Sequence, residues 1–516
     1  MIDAGRAGHP HTAKTFPQLV RAAAAAYGET VAVHLVGETI PDERITFAEL
    51  DRRSAELARG LIGRGVGKGT RIGFIQGNGP GFALMLAAIA RIGAIAIPIS
   101  TMIRAQELVR VLRHADVAGL ILQREVLGND LVERLCEALP ELRAGGPDLR
   151  LPDAPFLRWI LSTGAALPAS IADIAVLAEA AASVDDALLR AIENEVGTTD
   201  QMVEIYTSGS MALPKGVRHN HGPMLVRTHY LRGMIGYRPG QALPVVMPMF
   251  WIGGMIMFLL PYWEAGATAV CTERTLSNSR VAMGSVLAAE DLARMGATRP
   301  YWGLGMSETI GPYSWGDEVR APGRPMCGPM DHFAEGYDVR VVDEHDRPVA
   351  DGEIGEMQVR GYAVTPGLHK IERDTHFTAD GYYRTGDLCE VDGSRVHFVG
   401  RSGDMIKTAG ANVSPAEVEL ELQSLPGVYN AYVVGLPDRE RGQVVAAALV
   451  PREADAVLDT AAIETEMRRR LSSYKVPRAY VQIAREDVPL LDSNKVARRR
   501  IEIMLAERLA RPATPA

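Results

Sequence analysis

The stretch Tyr206-Thr207-Ser208-Gly209-Ser210-Met211-Ala212-Leu213-Pro214-Lys215-Gly216-Val217 decides the fold. The apolar run before it, Met202–Tyr206, is typical of a buried strand, and the small residues that follow leave backbone N–H groups free to point at an anion. Lys215 adds a mobile positive charge, but it lacks the Gly-Lys-Ser/Thr context of a Walker loop. We predict a phosphate-binding loop rather than an ordinary polar turn. The residues that suit a phosphate, as hydroxyl donors or as glycines allowing close approach, are Thr207, Ser208, Ser210, Gly209 and Gly216.

This loop resembles the phosphate loop of the adenylate-forming superfamily, which contains acyl-CoA synthetases, luciferases and peptide-synthetase adenylation domains. Later motifs extend the resemblance to almost the whole chain, which is most similar to an acyl-CoA synthetase. The resemblance implies an enzyme that uses ATP and Mg²⁺ and takes coenzyme A as a co-substrate. In such enzymes a carboxylic acid and Mg·ATP give acyl-AMP and pyrophosphate, and the CoA thiol then displaces AMP.

The composition is that of a large globular protein. With 516 residues, of which 47% are hydrophobic and 23% charged, the chain can bury more than one core. The formal net charge of -8 argues against general nucleic-acid binding, so no nucleic-acid partner is expected. Residues Met1–Pro17 lack a charged start followed by an apolar run, which predicts a cytoplasmic protein, and a homodimer is left open. The cysteines are scattered without metal or disulfide spacing, at Cys136, Cys271, Cys327 and Cys389.

One stretch, Val245–Trp263, is uncharged and long enough to be tested as a membrane span. Pro248, Gly253, Gly254 and Pro261 interrupt it. A strand-turn-helix buried in a large α/β domain is the better interpretation, so we predict no integral membrane segment.

Alternating apolar and helical patterns predict the fold class. The strands predicted by apolar runs are Arg71–Gln76, Ala94–Ile99 and Val117–Leu122, and the helices between them are Pro80–Arg91 and Ala105–His114. This order predicts an α/β fold with a doubly wound, largely parallel sheet. Short alternating strands over Tyr337–Arg360 predict a β-rich subdomain, and a new α+β pattern begins after Gly400. We therefore expect an N-terminal adenylation domain over residues 1–400, a hinge over residues 401–403 and a small mobile C-terminal domain over residues 404–516.

The run Trp302-Gly303-Leu304-Gly305-Met306-Ser307-Glu308-Thr309 resembles the second nucleotide motif of the superfamily, with Ser307 in place of threonine. The resemblance makes Glu308 the Mg²⁺ ligand, because Mg²⁺ is a hard ion held by one or two carboxylates together with ATP phosphates. Thr207 is the second predicted metal ligand. The aromatic residue that normally stacks on adenine is replaced by Leu304, so either Trp302 substitutes for it or the nucleotide is held less specifically. The nucleotide-binding residues predicted in this run are Gly305, Met306 and Ser307.

Two further motifs match the superfamily closely. Tyr-Arg-Thr-Gly-Asp occurs unchanged at residues 383–387, and the Asp387 carboxylate offers two acceptor oxygens to the two ribose hydroxyls. The longest match is residues 400–419, where the resemblance makes Arg401 a ribose contact and Gly403 the hinge of the C-terminal domain. Glycine absorbs large backbone rotations, so it suits a hinge that usually carries Asp or Lys. Gly410 matches the glycine that lines the pantetheine tunnel, with a plain hairpin turn as the alternative.

Lys495 is the predicted catalytic lysine. It lies in Asn494-Lys495-Val496-Ala497-Arg498, which resembles Gly-Lys-Val-x-Arg of the superfamily. An ammonium between the acyl carboxylate and the α-phosphate stabilises the charge that shifts to pyrophosphate. The predicted catalytic residues are Lys495, Glu308 and Lys215.

The acyl pocket is the least regular part of the resemblance. Trp251 occupies the place of a histidine in the superfamily, with core packing as the alternative, and Gly253 and Gly303 are the other predicted pocket residues. Between Trp251 and Glu308 the chain is much shorter than usual, so the units that normally build this pocket are missing or unrecognisable over residues 272–294.

The sequence favours an ATP-dependent carboxylic acid–CoA ligase that acts on a fatty or other hydrophobic acid. One alternative is a nucleotide-binding protein whose catalysis is impaired by the short segment. Another is an acyl-AMP ligase that serves a carrier protein, although residues 401–419 lack the insertion that often marks such ligases. The identity of the acid is left open.

Overall fold

The computed structural model describes residues 9–207, 214–274, 302–316, 330–402, 406–413, 415–489 and 496–510. The chain forms two compact units. The first unit contains Met1–Thr101, Leu112–Tyr206 and Gly216–Val399, and the second contains Met102–Val111, Thr207–Lys215 and Gly400–Ala516. The predicted hinge residue Gly403 lies outside the described residues.

Helices occur along the whole described chain, and several begin at the residues that the sequence indicates. Thr46 and Glu49 form a reciprocal capping box at the start of the second helix, and Pro80 opens the third. The helices are α1 (Phe16–Tyr27), α2 (Phe47–Gly63), α3 (Pro80–Arg91), α4 (Ala105–His114), α5 (Leu131–Ala138), α6 (Val176–Ala181), α7 (Asp186–Asn194), α8 (His221–Ile235), α9 (Ile252–Gly254), α10 (Leu260–Ala265), α11 (Pro415–Gln423), α12 (Thr460–Arg470) and α13 (Arg498–Ala510).

The strands form six described sheets. They are β1 (Val31–Val36), β2 (Glu43–Thr46), β3 (Arg71–Ile75), β4 (Ile95–Pro98), β5 (Gly119–Leu122), β6 (Glu125–Val126), β7 (Asn129–Asp130), β8 (Trp159–Ser162), β9 (Ala172–Asp173), β10 (Gln201–Thr207), β11 (Lys215–Asn220), β12 (Ala242–Pro244), β13 (Thr268–Thr272), β14 (Trp302–Met306), β15 (Gly311–Gly316), β16 (His332–Phe333), β17 (Tyr337–Val342), β18 (Ile354–Gly361), β19 (Tyr383–Asp392), β20 (Arg395–Arg401), β21 (Ile406–Thr408), β22 (Ala411–Val413), β23 (Val428–Asp438), β24 (Gly442–Pro451) and β25 (Ala479–Gln482).

The largest sheet has seven strands in the order β11-β10-β4-β3-β5-β8-β9. Strands β4 and β5 are buried along their whole length, as expected of parallel strands covered on both faces. Parallel pairing runs from β10 through β4, β3, β5 and β8 to β9. The chain passes from β3 to β4 on one side and returns to β5 on the other, which is the strand reversal of a doubly wound sheet. The predicted α/β fold class is therefore confirmed.

Further sheets complete the first unit. A four-stranded sheet has the order β12-β13-β1-β2, and the hairpin β14-β15 joins β16 in a three-stranded sheet. Strands β17 to β20 form a four-stranded sheet, antiparallel from β17 to β19, where the sequence predicted a β-rich subdomain. Leu304, Tyr313, Met357 and Val359 pack in one core cluster of this part of the unit.

The uncharged stretch Val245–Trp263 is broken into short helical pieces. The helices α9 and α10 flank a π-helical turn at Met255–Leu259. The predicted strand at its beginning is wrong, because β12 ends at Pro244 and the next described strand, β13, begins only at Thr268. Among the residues described, no helix is both long and apolar enough to cross a membrane.

The second unit contains a five-stranded sheet. Its strands have the order β22-β21-β24-β23, and β25 pairs with β24. Apolar residues of β23 and β24 alternate between two core clusters, one packed with α11 and α12 and the other with α13. This alternation follows from the side-chain period of a strand covered on both faces.

Candidate nucleotide-binding site

The predicted phosphate loop follows β10, at the carboxyl end of a strand in the seven-stranded sheet. Ligands of open α/β sheets bind at such strand ends. Thr207 is the last residue of β10 and Lys215 is the first of β11, and both are half-buried. The predicted loop residues between them lie outside the described residues: Ser208, Gly209 and Ser210.

Gly216 occupies a place in the first unit where no other residue fits. A Cβ atom at this position would lie 2.5 Å from Glu204 Oε1 and 2.9 Å from the Tyr206 hydroxyl oxygen. Such contacts are shorter than van der Waals packing permits. The glycine therefore lets β11 approach two polar side chains of β10.

Glu204 is the centre of a buried polar network next to this strand pair. Its carboxylate is fully buried and forms an ion pair with Arg71 at 2.5 Å. It accepts hydrogen bonds from the Tyr206 hydroxyl at 2.9 Å and the Gln201 amide at 3.0 Å. His114 Nδ1 lies 2.9 Å from the same hydroxyl. The network fixes the end of β10, because every polar contact is lost if the strand shifts.

Burial changes the titration of this network. Burial raises the pKa of Tyr206, and the neighbouring Glu204 carboxylate raises it further. Burial lowers the pKa values of His114 and His369. At neutral pH these three side chains are therefore neutral, and Glu204 is balanced by Arg71 rather than by an imidazolium.

A loop after β18 ties β11 to the predicted metal ligand. The Thr365 amide donates to the Glu308 carbonyl at 2.7 Å, and the Thr365 hydroxyl donates to the Arg218 carbonyl at 2.8 Å. The His369 amide donates to the Gly216 carbonyl at 2.8 Å. The strand that follows the predicted phosphate loop and the turn that carries Glu308 are therefore held by one segment of the first unit.

Glu308 lies in a tight turn between β14 and β15. A Cβ atom at Gly305 would lie 2.5 Å from Pro312 Cα, so only glycine permits this hairpin to close. Ile310, which follows the turn, is β-branched and has a φ of 48°. Such residues rarely adopt left-handed backbone, and these outliers cluster at functional sites. The Tyr337 hydroxyl donates to the Thr309 carbonyl at 2.6 Å and holds the turn in place.

The two predicted nucleotide motifs meet at Glu308. The Tyr383 hydroxyl donates to Glu308 Oε1 at 3.0 Å, and both side chains are buried. Asp387 lies on β19, four residues after Tyr383, and is only 2% exposed. Its amide donates to the Thr385 hydroxyl at 3.0 Å. The fold thus brings the predicted metal ligand to the strand that carries the predicted ribose ligand.

The carboxylate of Glu308 fits Mg²⁺. Oε2 accepts no hydrogen bond from any residue described, so one oxygen is available to a hard cation. Within the described residues no group of three or more His, Cys, Asp or Glu side chains could hold a metal. An ion bound here would therefore take most of its ligands from the nucleotide and water.

The predicted pocket residues occupy two segments of the first unit. Half-buried Trp251 precedes α9, and Gly253 faces Met247, whose sulfur would lie 2.9 Å from a Cβ atom there. Gly303 is exposed on β14, whereas the next residue, Leu304, is buried in the core. Leu304 therefore provides no exposed platform for adenine. Ile256, in the π-helical turn, approaches Gly311 beside the Glu308 turn, so the two segments are neighbours.

The second unit carries the remaining predicted residues. Gly410 and Ala409 have φ values of 81° and 49° in the tight turn between β21 and β22. Two consecutive residues with positive φ are typical of a two-residue hairpin turn. Arg401 is the last residue of β20. Gly403 and Lys495 lie outside the described residues.

Comparison with known proteins gives the family. The model of the AMP-binding enzyme family matches residues 20–286, and the model of the AMP-binding enzyme C-terminal domain matches residues 417–495. The chain therefore belongs to the AMP-binding enzymes, which form the adenylate-forming superfamily.

Relatives within this family differ in their products. A feruloyl-CoA synthase from Amycolatopsis sp is 27% identical over 484 residues, which cover 84% of this chain and 89% of the relative. A 2,3-dihydroxybenzoate-AMP ligase from Bacillus subtilis (strain 168) is 27% identical over 535 residues, which cover 96% of this chain and 94% of the relative. The family thus supports a ligase that forms acyl-adenylates.

Solved structures share the fold. A double mutant of the o-succinylbenzoate CoA synthetase from Bacillus subtilis has a TM-score of 0.71 at 19% identity, and the match covers 94% of this chain and 98% of that one. The amide bond synthetase McbA from Marinactinospora thermotolerans has a TM-score of 0.70 at 20% identity, and the match covers 95% of this chain and 99% of that one.

Proposed function

We propose that this protein is an ATP-dependent carboxylic acid–CoA ligase that acts through an acyl-adenylate, on a fatty or other hydrophobic acid. The observation that carries the proposal is the connection centred on Glu308. Its carboxylate contacts Tyr383 of the ribose motif, and its carbonyl contacts Thr365, whose loop reaches Gly216 beside the phosphate loop. Three separate stretches of the sequence are therefore linked through Glu308, which supports a site for a nucleotide and its metal there.

Each residue then has a chemical task. We assign Asp387 and Arg401 to the ribose, and Lys215 to the phosphates with the hydroxyls and amides of the loop. Glu308 and Thr207 would hold Mg²⁺, which neutralises phosphate charge when bound. Lys495 would stand between the acid carboxylate and the α-phosphate, where negative charge must pass to pyrophosphate.

The chemistry explains why both steps are needed. A carboxylate is a poor acyl donor, because its oxygen cannot leave. When a carboxylate oxygen attacks the α-phosphorus, the bond to the β-phosphate oxygen breaks and pyrophosphate leaves. The thiol of CoA then attacks the acyl carbon, loses its proton, and expels AMP. Rotation about Gly403 would exchange Lys495 for the loop that contains Gly410 between these steps.

CoA is the acceptor that we favour. The feruloyl-CoA synthase relative is named for a CoA thioester, and residues 401–419 lack the insertion often seen in ligases that serve carrier proteins. The name of the 2,3-dihydroxybenzoate-AMP ligase does not state the acceptor of the acyl group. The assay must therefore supply both CoA and a carrier protein.

The first experiment measures pyrophosphate release from Mg·ATP across aliphatic, aromatic and polycyclic acids, with and without CoA. Acid-dependent release, with thioester formed only when CoA is present, is the expected result. Glu308→Gln and Lys495→Ala should each lower kcat about 100-fold or more. Glu344→Gln, at a side chain that is 86% exposed, is the matched control and should leave kcat unchanged.

Two other results would reject the ligase proposal, and a third would reject the role of Glu308. Acid-dependent release without thioester, but with transfer to an acylatable carrier protein, would identify an acyl-AMP ligase. AMP binding without release for any acid would identify a protein that has lost catalysis. Equal activity of Glu308→Gln and wild type would remove Glu308 from the site.

A further inference from the structure

Arg227 is a fully buried arginine in the middle of α8. Its guanidinium donates to the Pro312 carbonyl and lies 4.8 Å from the ring centre of Tyr230 and 5.3 Å from that of Tyr337. The Tyr362 hydroxyl also interacts with it. The described partners of the charge are thus one carbonyl group and aromatic side chains.

No anion balances this charge among the residues described. Nε and one terminal nitrogen of Arg227 make no hydrogen bond there, and no carboxylate oxygen lies within 4.0 Å. Burying an unpaired charge costs several kcal/mol. Contacts with aromatic faces stabilise a desolvated cation by about 2 kcal/mol. This stabilisation is smaller than the desolvation cost of the charge, which indicates that a further group completes the site.

Arg91 shows what a completed site looks like in the same unit. Its guanidinium is equally buried, yet it pairs with Glu193 at 2.6 Å and with Asp51 at 2.8 Å. A third contact is the donation to the Ser54 hydroxyl at 2.7 Å. Burial of an arginine in this fold is therefore compatible with full pairing, which Arg227 lacks.

The position of Arg227 relates it to the reaction. Pro312 lies on β15, four residues after Glu308. Tyr337, whose ring covers the guanidinium, donates through its hydroxyl to Thr309, the neighbour of Glu308. The unpaired charge is therefore only one tyrosine ring away from the turn that carries the predicted metal ligand.

We propose that Arg227 binds a second anionic group of the acid substrate, at the end away from the carboxylate that is activated. This inference rests on the proposed ligase function and names the substrate class as a hydrophobic acid with a second carboxylate. The planar guanidinium can make two parallel hydrogen bonds to such a group. The rings of Tyr230, Tyr337 and Tyr362 would pack against the hydrophobic body between the two acid groups.

The test compares free diacids with their monomethyl esters, which differ only in the second charge. Glutarate, adipate, suberate and terephthalate cover a range of lengths. In the wild type, kcat/KM from pyrophosphate release should favour the best diacid over its ester about 10- to 100-fold, the value of a charge-assisted pair. Arg227→Met should remove this preference by lowering kcat/KM for the diacid alone, and Arg227→Lys should retain part of it.

The control is Arg232→Met on the same helix, because Arg232 already pairs with Glu264 at 3.2 Å. It should leave the diacid-to-ester ratio unchanged. An equal fall for diacid and ester in Arg227→Met would assign the residue a structural role and overturn the inference. An unchanged ratio in that variant, or a wild-type enzyme that prefers the esters, would overturn it as well.

Calorimetric binding of the same diacids and esters separates this inference from the ligase proposal. If no acid supports pyrophosphate release, the ligase proposal fails, but tighter binding of a diacid that is lost in Arg227→Met would still support the anion site. Equal binding of diacid and ester to the wild type would overturn the inference whatever the turnover.

Discussion

Two buried charges of the first unit, Glu204 and Arg227, have opposite surroundings. Glu204 is paired with Arg71 and accepts hydrogen bonds from Tyr206 and Gln201. Arg227 has aromatic faces and one backbone carbonyl, without a carboxylate among the described residues. The two residues are alike in burial, with each fully inaccessible to solvent.

This difference in partners distinguishes a buried charge that stabilises the fold from a buried charge that can bind a ligand. A buried charge that has all its partners holds backbone segments together, because a movement of either segment would leave the charge buried and unpaired. A buried charge without an ionic partner carries that cost already, so a bound anion can relieve it. Glu204 therefore supports the end of β10, which precedes the predicted phosphate loop, whereas Arg227 belongs to the anion site that we propose.

Removing the partner of Glu204 gives the largest expected effect. Arg71→Met should lower the free energy of unfolding by about 4 kcal/mol, because it leaves a buried carboxylate unpaired. Arg227→Met is the matched variant and should change that free energy by less than about 1 kcal/mol, or raise it. Urea unfolding followed by tryptophan fluorescence measures both. Similar losses in the two variants would remove the distinction between the two charges.

Lys475 extends the comparison to the second unit. Its ammonium pairs with Glu107 at 2.6 Å and with Glu417 at 2.9 Å, and all three side chains are buried. Burial raises the pKa of Glu417. Lys475→Met should cost about 3 kcal/mol, less than Arg71→Met, because Glu417 can take up a proton.

The pH dependence of this variant provides the check. A carboxyl group whose pKa is raised in the folded state binds more protons there than in the unfolded chain, so its effect on stability improves as pH falls. Lys475→Met should therefore regain stability between pH 7 and pH 5, relative to wild type. A constant difference between the two proteins over that range would contradict the assignment.

The sequence predicts those parts of this molecule that depend on local patterns. Strands β3, β4 and β5 follow apolar runs, and Pro80 marks the start of α3, since burial on both faces and a fixed φ act within a few residues. The stretch at residues 206–217 contains its own small residues and lysine, so the phosphate loop there is also predicted from a local pattern, and it stays a prediction.

The rest of the candidate site depends on contacts between distant residues. Thr365 and Arg218 are 147 residues apart, and no local pattern marks Thr365 as the link to Glu308. In the sequence, Arg227 is one of several polar residues of a helix. Its contacts with Pro312 and Tyr337 can be found only in the structure. Tyr383 had a better signal, because it lies in the Tyr-Arg-Thr-Gly-Asp run, but its bond to Glu308 could be found only in the structure.

A substitution at Gly216 tests whether the polar network of Glu204 can accommodate an added methyl group. Gly216→Ala places a methyl group 2.5 Å from Glu204 Oε1, so it should cost about 1 to 3 kcal/mol and raise KM for ATP more than it lowers kcat. Gly67→Ala is the control, since nothing lies within 4 Å of a Cβ atom there. Equal KM values for ATP in the two variants would show that the network does not position the phosphate loop.

His219 gives the smallest effect and shows another way to bury a titratable group that has no ionic partner among the described residues. It is fully buried on β11, and burial lowers its pKa to about 4. An arginine cannot lose its charge in this way, because its guanidinium stays protonated in proteins. The unfolded chain binds a proton at His219 near pH 6.5 and the folded chain only near pH 4, so stability falls as the solution is acidified through this window.

His219→Leu should therefore reduce the loss of stability between pH 7 and pH 5.5 by about 1 kcal/mol. The same substitution at His345, whose side chain is 64% exposed, should leave that loss unchanged. If His219→Leu unfolds with the same pH dependence as wild type, the imidazole is paired by a group that acid does not disturb. His219 would then show that a buried side chain without an ionic partner can be stabilised by the protein itself. The same explanation would apply to Arg227, and its burial would no longer indicate a ligand.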